Sequence, residues 1–224
     1  MTRLRDESGF TLVELLASMV IGVVVILASW MIVDSSGKLS TRTTSRVDAF
    51  QRGRLALDQI ASELRSQVCI AGVTPPIVPL VSGPDDVWFY NNTGDQDAAP
   101  QKRHISLANG AITEEIWTGN FNGAPTSTRT VISDVAPVPK NPGPGNEPFV
   151  RYFGFDANLP AAVNQEVATP VSVVNAAKVV QVNLSFVARP SRATAPSALD
   201  SVFQQSVYFR TADPTDPAKG PKCQ

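Results

Sequence analysis

The pattern of apolar and polar positions breaks the chain into unequal parts. From Phe10 to Val33, FTLVELLASMVIGVVVILASWMIV, 24 residues carry a single charge, Glu14. As a helix rising about 1.5 Å per residue this run reaches roughly 36 Å, enough to cross a hydrocarbon layer of about 30 Å. An ordinary secretory signal has a shorter apolar region of about 7–15 residues. The run therefore predicts a membrane helix that stays on the protein, with cleavage near Ser35-Ser36-Gly37 as the competing reading. Polarity then rises, and from Lys38 to Cys69 the residues Val47, Phe50, Leu57, Ile60, Leu64 and Val68 recur at helical spacing. They mark one face, with Arg46, Arg52, Glu63 and Arg65 mainly off it. No proline interrupts Phe10 to Thr74. One long helix is predicted, membrane-embedded and then amphipathic, with Gly37 and Gly53 as places where it can loosen.

Beyond Gly72 the period changes from helix to strand. Pro75, Pro76, Pro79 and Pro84 form a linker, and Asp86–Asn91 reads as a short strand. His104–Leu107 and Ala111–Trp117 flank Asn109-Gly110, the residue pair that suits a type I′ hairpin turn. Thr128–Ser133, Phe149–Phe155, Lys178–Ala188 and Ser201–Arg210 read as further strands. The expected fold class is α+β: the helix packed on an antiparallel sheet with one buried face. The boundaries are 1–9 as a leader, 10–33 as the membrane helix, 34–72 as its amphipathic continuation and 73–224 as a β-rich head.

Composition adds exclusions. Nineteen basic against 20 acidic residues leave a formal charge of −1, so no global electrostatic footprint for nucleic acid exists and DNA binding is unsupported. The arginines between Arg42 and Arg54 suit anionic lipid or DNA less well than a solvated helix face. One histidine and two cysteines exclude zinc fingers, iron–sulfur clusters and multi-histidine metal sites by count. No nucleophile elbow, phosphate-binding loop, zincin helix or dinucleotide fingerprint is present. Glu114-Glu115 would be paired carboxylates, but neighbours on a strand point to opposite faces. Asp95, Asp97, Asp213 and Asp216 lack EF-hand spacing and read as solvated turn acids. Val87-Trp88-Phe89-Tyr90 reads equally as a stacking surface or as alternating core and surface positions, and Asn91-Asn92-Thr93 matches a glycosylation sequon. No catalytic residue, metal or cofactor is expected.

Glu14 gives the apolar run a chemical question. A carboxylate in a membrane helix costs on the order of 2.5–3.5 kcal/mol near the bilayer centre, less near an end. No Lys, Arg or His lies between Phe10 and Val33 to pair with it. Either it snorkels to the headgroups, or its partner comes from another molecule.

Ser8-Gly9-Phe10-Thr11-Leu12-Val13-Glu14-Leu15-Leu16 resembles the class III signal of type IV prepilins and type II secretion pseudopilins: a polar leader ending in Gly, then Phe, then an apolar helix with Glu at its fifth position. The resemblance implies that a prepilin peptidase cuts between Gly9 and Phe10 and that Phe10 is N-methylated. The new amine at Phe10 would be the missing partner for Glu14 of a neighbouring subunit during assembly. Two features depart from the simplest pattern. The leader holds Asp6 and Glu7 beside Arg3 and Arg5, and Lys38, Arg42, Arg46 and Arg52 beyond the helix outnumber its basic residues. Met31 stands where many major pilins have a kinking proline. Through Leu57-Asp58-Gln59-Ile60 and Glu63-Leu64-Arg65 the head is similar to the larger minor subunits, the W-type minor pilins and J-type pseudopilins.

What the resemblance implies is a minor pilin-like structural subunit of a type IV pilus, priming or decorating the filament; a pseudopilin of a type II secretion system is the alternative. A signal-anchored extracytoplasmic binding protein is the rival of another class. The implied partners are the prepilin peptidase, other pilin or pseudopilin subunits, an inner-membrane assembly platform and membrane lipid. The implied location is the bacterial cytoplasmic membrane, crossed once with the head outside. In that oxidising compartment Cys69 and Cys223 are expected to form a disulfide closing a loop of about 150 residues, against the reading of two free thiols.

Overall fold

The computed structural model describes residues 11–68, 75, 77–92, 99–155, 164–191 and 200–209. Helix α1 runs Leu12–Arg65 without interruption, followed by β1 (Asp86–Asn91), β2 (Gln101–Ala108), β3 (Ala111–Thr118), β4 (Ser127–Ser133), β5 (Val135–Ala136), β6 (Val150–Phe155), β7 (Asn164–Val167), α2 (Val173–Ala176), β8 (Val179–Ala188) and β9 (Ser201–Tyr208). Contacts divide the chain into two compact units, Met1–Thr44 and Ser45–Gln224.

In the first unit the described residues beyond Thr11 are all helical, and nearly every side chain is exposed. Ser18 and Ser29 donate their hydroxyls to the carbonyls of Glu14 and Val25, each at 2.8 Å. Those bonds satisfy the only hydroxyls of the 12–33 run within the helix itself, as an apolar surrounding requires.

In the second unit the last turns of α1 pack against two antiparallel sheets rather than the single sheet the pattern suggested. β1 to β4 form a meander in chain order. The hairpin of β2 and β3 turns at Asn109 (φ 51°) and Gly110 (φ 76°), the two positive-φ positions of the predicted type I′ turn. The second sheet is built around β8. β9 pairs along one edge of it from Gln181 to Ala188, so β5 and β6 share the other edge, with β7 outside β6. The chain changes sheets within one residue: β4 ends at Ser133, Asp134 takes φ 58°, and Val135 already pairs with Ala188.

One core joins the parts. Leu57, Ile60 and Leu64 of α1 meet Val87, Phe89, Ile105 and Ile112 of the first sheet and Tyr152, Val182, Leu184 and Phe186 of the second. The predicted stripe needs correction at its start. Val47 and Phe50 stay about half exposed, while Ala49, Gly53, Ala56 and Ala61 are buried. Small side chains bring helix and sheet close, and the larger ones flank the contact. Gly53 is accordingly no loosened point: a Cβ built there would lie 2.3 Å from the Phe203 ring. Arg52 and Glu63, expected off this face, turn inward. Arg52 donates to the carbonyls of Ser133 (3.3 Å) and Arg189 (2.9 Å), capping the ends of β4 and β8 at once. The short β5, β7 and α2 escaped the sequence reading because two to four residues are too few to show a period.

Candidate functional site: the N-terminal helix and the ionic clusters of the head

The start of α1 is set locally. The Glu14 amide donates to the Thr11 carbonyl at 3.1 Å and to its hydroxyl oxygen at 3.3 Å, so Thr11 satisfies one of the amides a helix start leaves free. Glu14 lies in the first turn, where a carboxylate is favoured by the helix dipole. Its side chain is exposed, and from Thr11 to Val33 no cation shares the helix. The first cation along it, Lys38, is bound to Asp34 at 2.6 Å. Gly9, Phe10, Cys69 and Cys223 lie outside the described residues, as do Asp95, Asp97, Asp213 and Asp216. The arginines from Arg42 to Arg54 do not act as one patch, because Arg52 is engaged with the sheets and Arg54 pairs with Asp58.

Glu114 and Glu115 separate as their places on a strand dictate, and each anchors a cluster of its own. On the face toward α1, Glu114 is fully buried and binds Arg103 of β2 and Arg129 of β4. Arg129 also donates to Glu63 of α1 at 2.7 Å, and Arg103 stands 3.3 Å from the same carboxylate. Two carboxylates and two guanidiniums thus tie three strands and the helix together. Burial, then the hydrogen bond and charge of Glu114, push the Glu63 carboxyl up to about 7. The sequence carried a signal for this cluster: Arg103 and Glu114 occupy inward positions in the alternation of β2 and β3.

On the opposite face, Glu115, His104 and Trp88 sit directly across from one another on β3, β2 and β1. His104 Nδ1 lies 2.8 Å from Glu115 and Nε2 lies 3.1 Å from Asp86. The imidazole stacks on the Trp88 indole at 3.9 Å, and Trp88 donates to Asp86 at 2.9 Å. Trp88 also approaches Trp117, and the Lys102 ammonium lies over both indoles. The aromatic run divides between core and surface, with Val87 and Phe89 fully buried and Trp88 on the outer face. Asn91 is fully buried and bonded to Ser66, so the sequon acceptor is closed to a glycan. Among the described residues no group of His, Cys, Asp and Glu is placed to hold a metal ion.

Residues 4–30 match the family model described as the prokaryotic N-terminal methylation motif. The N-terminus of the chain carries this methylation motif. The match takes in Gly9, Phe10, Glu14 and most of the apolar run. No curated protein matches the chain. Among solved structures it is similar to a type IV-like pilin from Thermus thermophilus, at 16% identity and TM-score 0.42, covering 71% of this chain and 94% of that one. It is also similar to a chain of the GspK-GspI-GspJ complex of the enterotoxigenic Escherichia coli type 2 secretion system, at 11% identity and TM-score 0.44, covering 75% and 99%. Joined to the motif, α1 is long and apolar enough to cross a membrane.

Proposed function

We propose that this chain is a minor pilin-like structural subunit of a type IV pilus, made as a prepilin and assembled through its N-terminal helix to prime or decorate the filament. The observation that carries the reading is the methylation motif over residues 4–30, joined to an apolar run, Leu12–Val33, whose large side chains are exposed among the described residues. Cutting between Gly9 and Phe10 leaves that whole helix on the mature subunit, anchored once in the cytoplasmic membrane with the head outside. It also creates an amine at Phe10. Glu14, with no cation along its own membrane segment, then has a partner in the amine of a neighbouring subunit, and the pair exists only after assembly. The work is structural rather than catalytic. Its partners are the prepilin peptidase, other subunits, the assembly platform and lipid.

Mass spectrometry of the mature N-terminus tests the processing, with N-methylated Phe10 expected. A mature chain beginning near Lys38 would overturn it. Glu14→Val removes a charge that is costly in lipid, so insertion and cleavage should persist while recovery with sheared filaments is lost. Glu14→Gln separates charge pairing from packing. Incorporation of both variants at the wild-type level would refute the pairing. Recovery with secretion-system subunits instead of pilus filaments would assign the same N-terminal mechanism to a pseudopilus.

A further inference from the structure

The Asp86–His104–Glu115 cluster serves no step of assembly through the helix, and its geometry makes a specific demand. A neutral imidazole has one N–H and one lone pair. Here both ring nitrogens face carboxylate oxygens, at 2.8 Å and 3.1 Å. Only the imidazolium donates in both directions. A neutral ring would set its lone pair against a carboxylate on one side, so one of the two contacts would have to open.

The ring is also a structural partner. It lies flat on Trp88 at an interplanar angle of 13°, and Asp86 accepts from both His104 and the Trp88 indole N–H. The ionisable groups that face the ring come from both neighbouring strands, Asp86 on β1 and Glu115 on β3. Lys102, on β2 itself, lies over the Trp88 ring at 4.7 Å. Through Trp88 the contacts continue to Trp117 and Lys102, so the outer face of three strands is fastened around a single proton.

We infer that Asp86, His104 and Glu115 form a proton-operated latch on the outer face of the first sheet. With the ring charged, both carboxylates and the Trp88 indole are held in place. When the proton leaves, one carboxylate contact opens and the stacked indole is released. The electrostatics agree: burial pulls the His104 pKa down, and the bonds and charges of Asp86 and Glu115 more than offset it, leaving it above the ordinary 6.5. Asp86 is held below its ordinary 3.8, burial being outweighed by the bonds from His104 and Trp88. The latch is therefore shut below the ordinary 6.5 and opens as the pH rises through the raised His104 pKa.

His104 is the only histidine in the chain, which makes the test direct. The full-length protein in detergent micelles, labelled with ¹⁵N-histidine, should show both ring nitrogens protonated at pH 6.5 and a single titration with its midpoint above that value. In a Trp30→Phe background the emission of Trp88 and Trp117 should change with the same midpoint, and His104→Gln should abolish that change. Asp86→Asn and Glu115→Gln should each move the histidine midpoint down. A neutral tautomer at pH 6.5 would overturn the latch. So would a histidine titration that leaves the indole emission still, and wild-type spectra alone decide both even if a variant fails to fold.

Discussion

Gly53→Ala sets two effects of known sign against each other on one helix. In an exposed helix interior, replacing glycine by alanine stabilises by roughly 0.5–1 kcal/mol, because the unfolded chain loses freedom. At Gly53 the added Cβ would lie 2.3, 2.6 and 2.9 Å from three carbons of the Phe203 ring. Carbon atoms in contact prefer about 3.5–4.0 Å, so the ring must retreat by more than 1 Å. It has little room to do so. Phe203 stacks on the fully buried Phe186 at 5.5 Å and packs against Phe50 at 5.6 Å. Forcing a methyl into a packed core costs about 1–3 kcal/mol, so the clash wins and a net loss of roughly 1–2 kcal/mol is expected. For a head of this size that lowers the melting temperature by about 2–8 °C. Gly22 and Gly37 provide the control, since a Cβ at either meets nothing within 4 Å. Calorimetry of the full chain in detergent should show the head transition falling in Gly53→Ala and unmoved in Gly22→Ala and Gly37→Ala. Phe203→Leu should remove most of the Gly53→Ala penalty, because the two side chains compete for one space. A Gly53→Ala protein as stable as wild type would show that α1 does not sit on β9 at this distance.

Three further outcomes follow from the polar clusters and the cysteines. Glu114→Gln leaves two guanidiniums facing an uncharged buried amide and should cost about 3 kcal/mol. Glu166→Gln, breaking the half-exposed Arg151–Glu166 pair, should cost under about 1 kcal/mol by the same denaturant titration; equal losses would refute the burial argument. Glu63 and His104 bind protons more tightly folded than unfolded, so their contribution is present in mild acid and is lost as pH rises. For Glu63 the loss falls between 4.5 and about 7, on the order of 3 kcal/mol, and Asp86 works oppositely below 3.8. Melting temperature should therefore fall from pH 5 to pH 8, and Glu63→Gln should flatten the decline; a rise over that range would contradict the assignment. A non-reducing peptide map should recover Cys69 linked to Cys223 within one chain, whereas two alkylatable thiols would show that no such bond forms.

The sequence by itself determined what is local or periodic. The apolar run, the helix continuing to Arg65, the Asn109-Gly110 turn and seven of the strands follow from spacing and turn chemistry, which neighbouring residues impose on each other. The methylation motif was equally legible, because it is a contiguous stretch of chain. The tertiary structure decided what depends on distant partners. Hydrophobic spacing named Val47 and Phe50 as helix-face residues, but close packing placed Ala49, Gly53 and Ala56 under the sheets instead. Polarity set Glu63 and Arg52 outside; residues 66 and 81 positions further along the chain drew them in, Arg129 to the one and Ser133 to the other. Alternation separated Glu114 from Glu115, yet only strand register could put Arg129 across from the first and His104 across from the second. A charge pattern shows which side chains need a partner, and the fold alone determines which partner lies within reach.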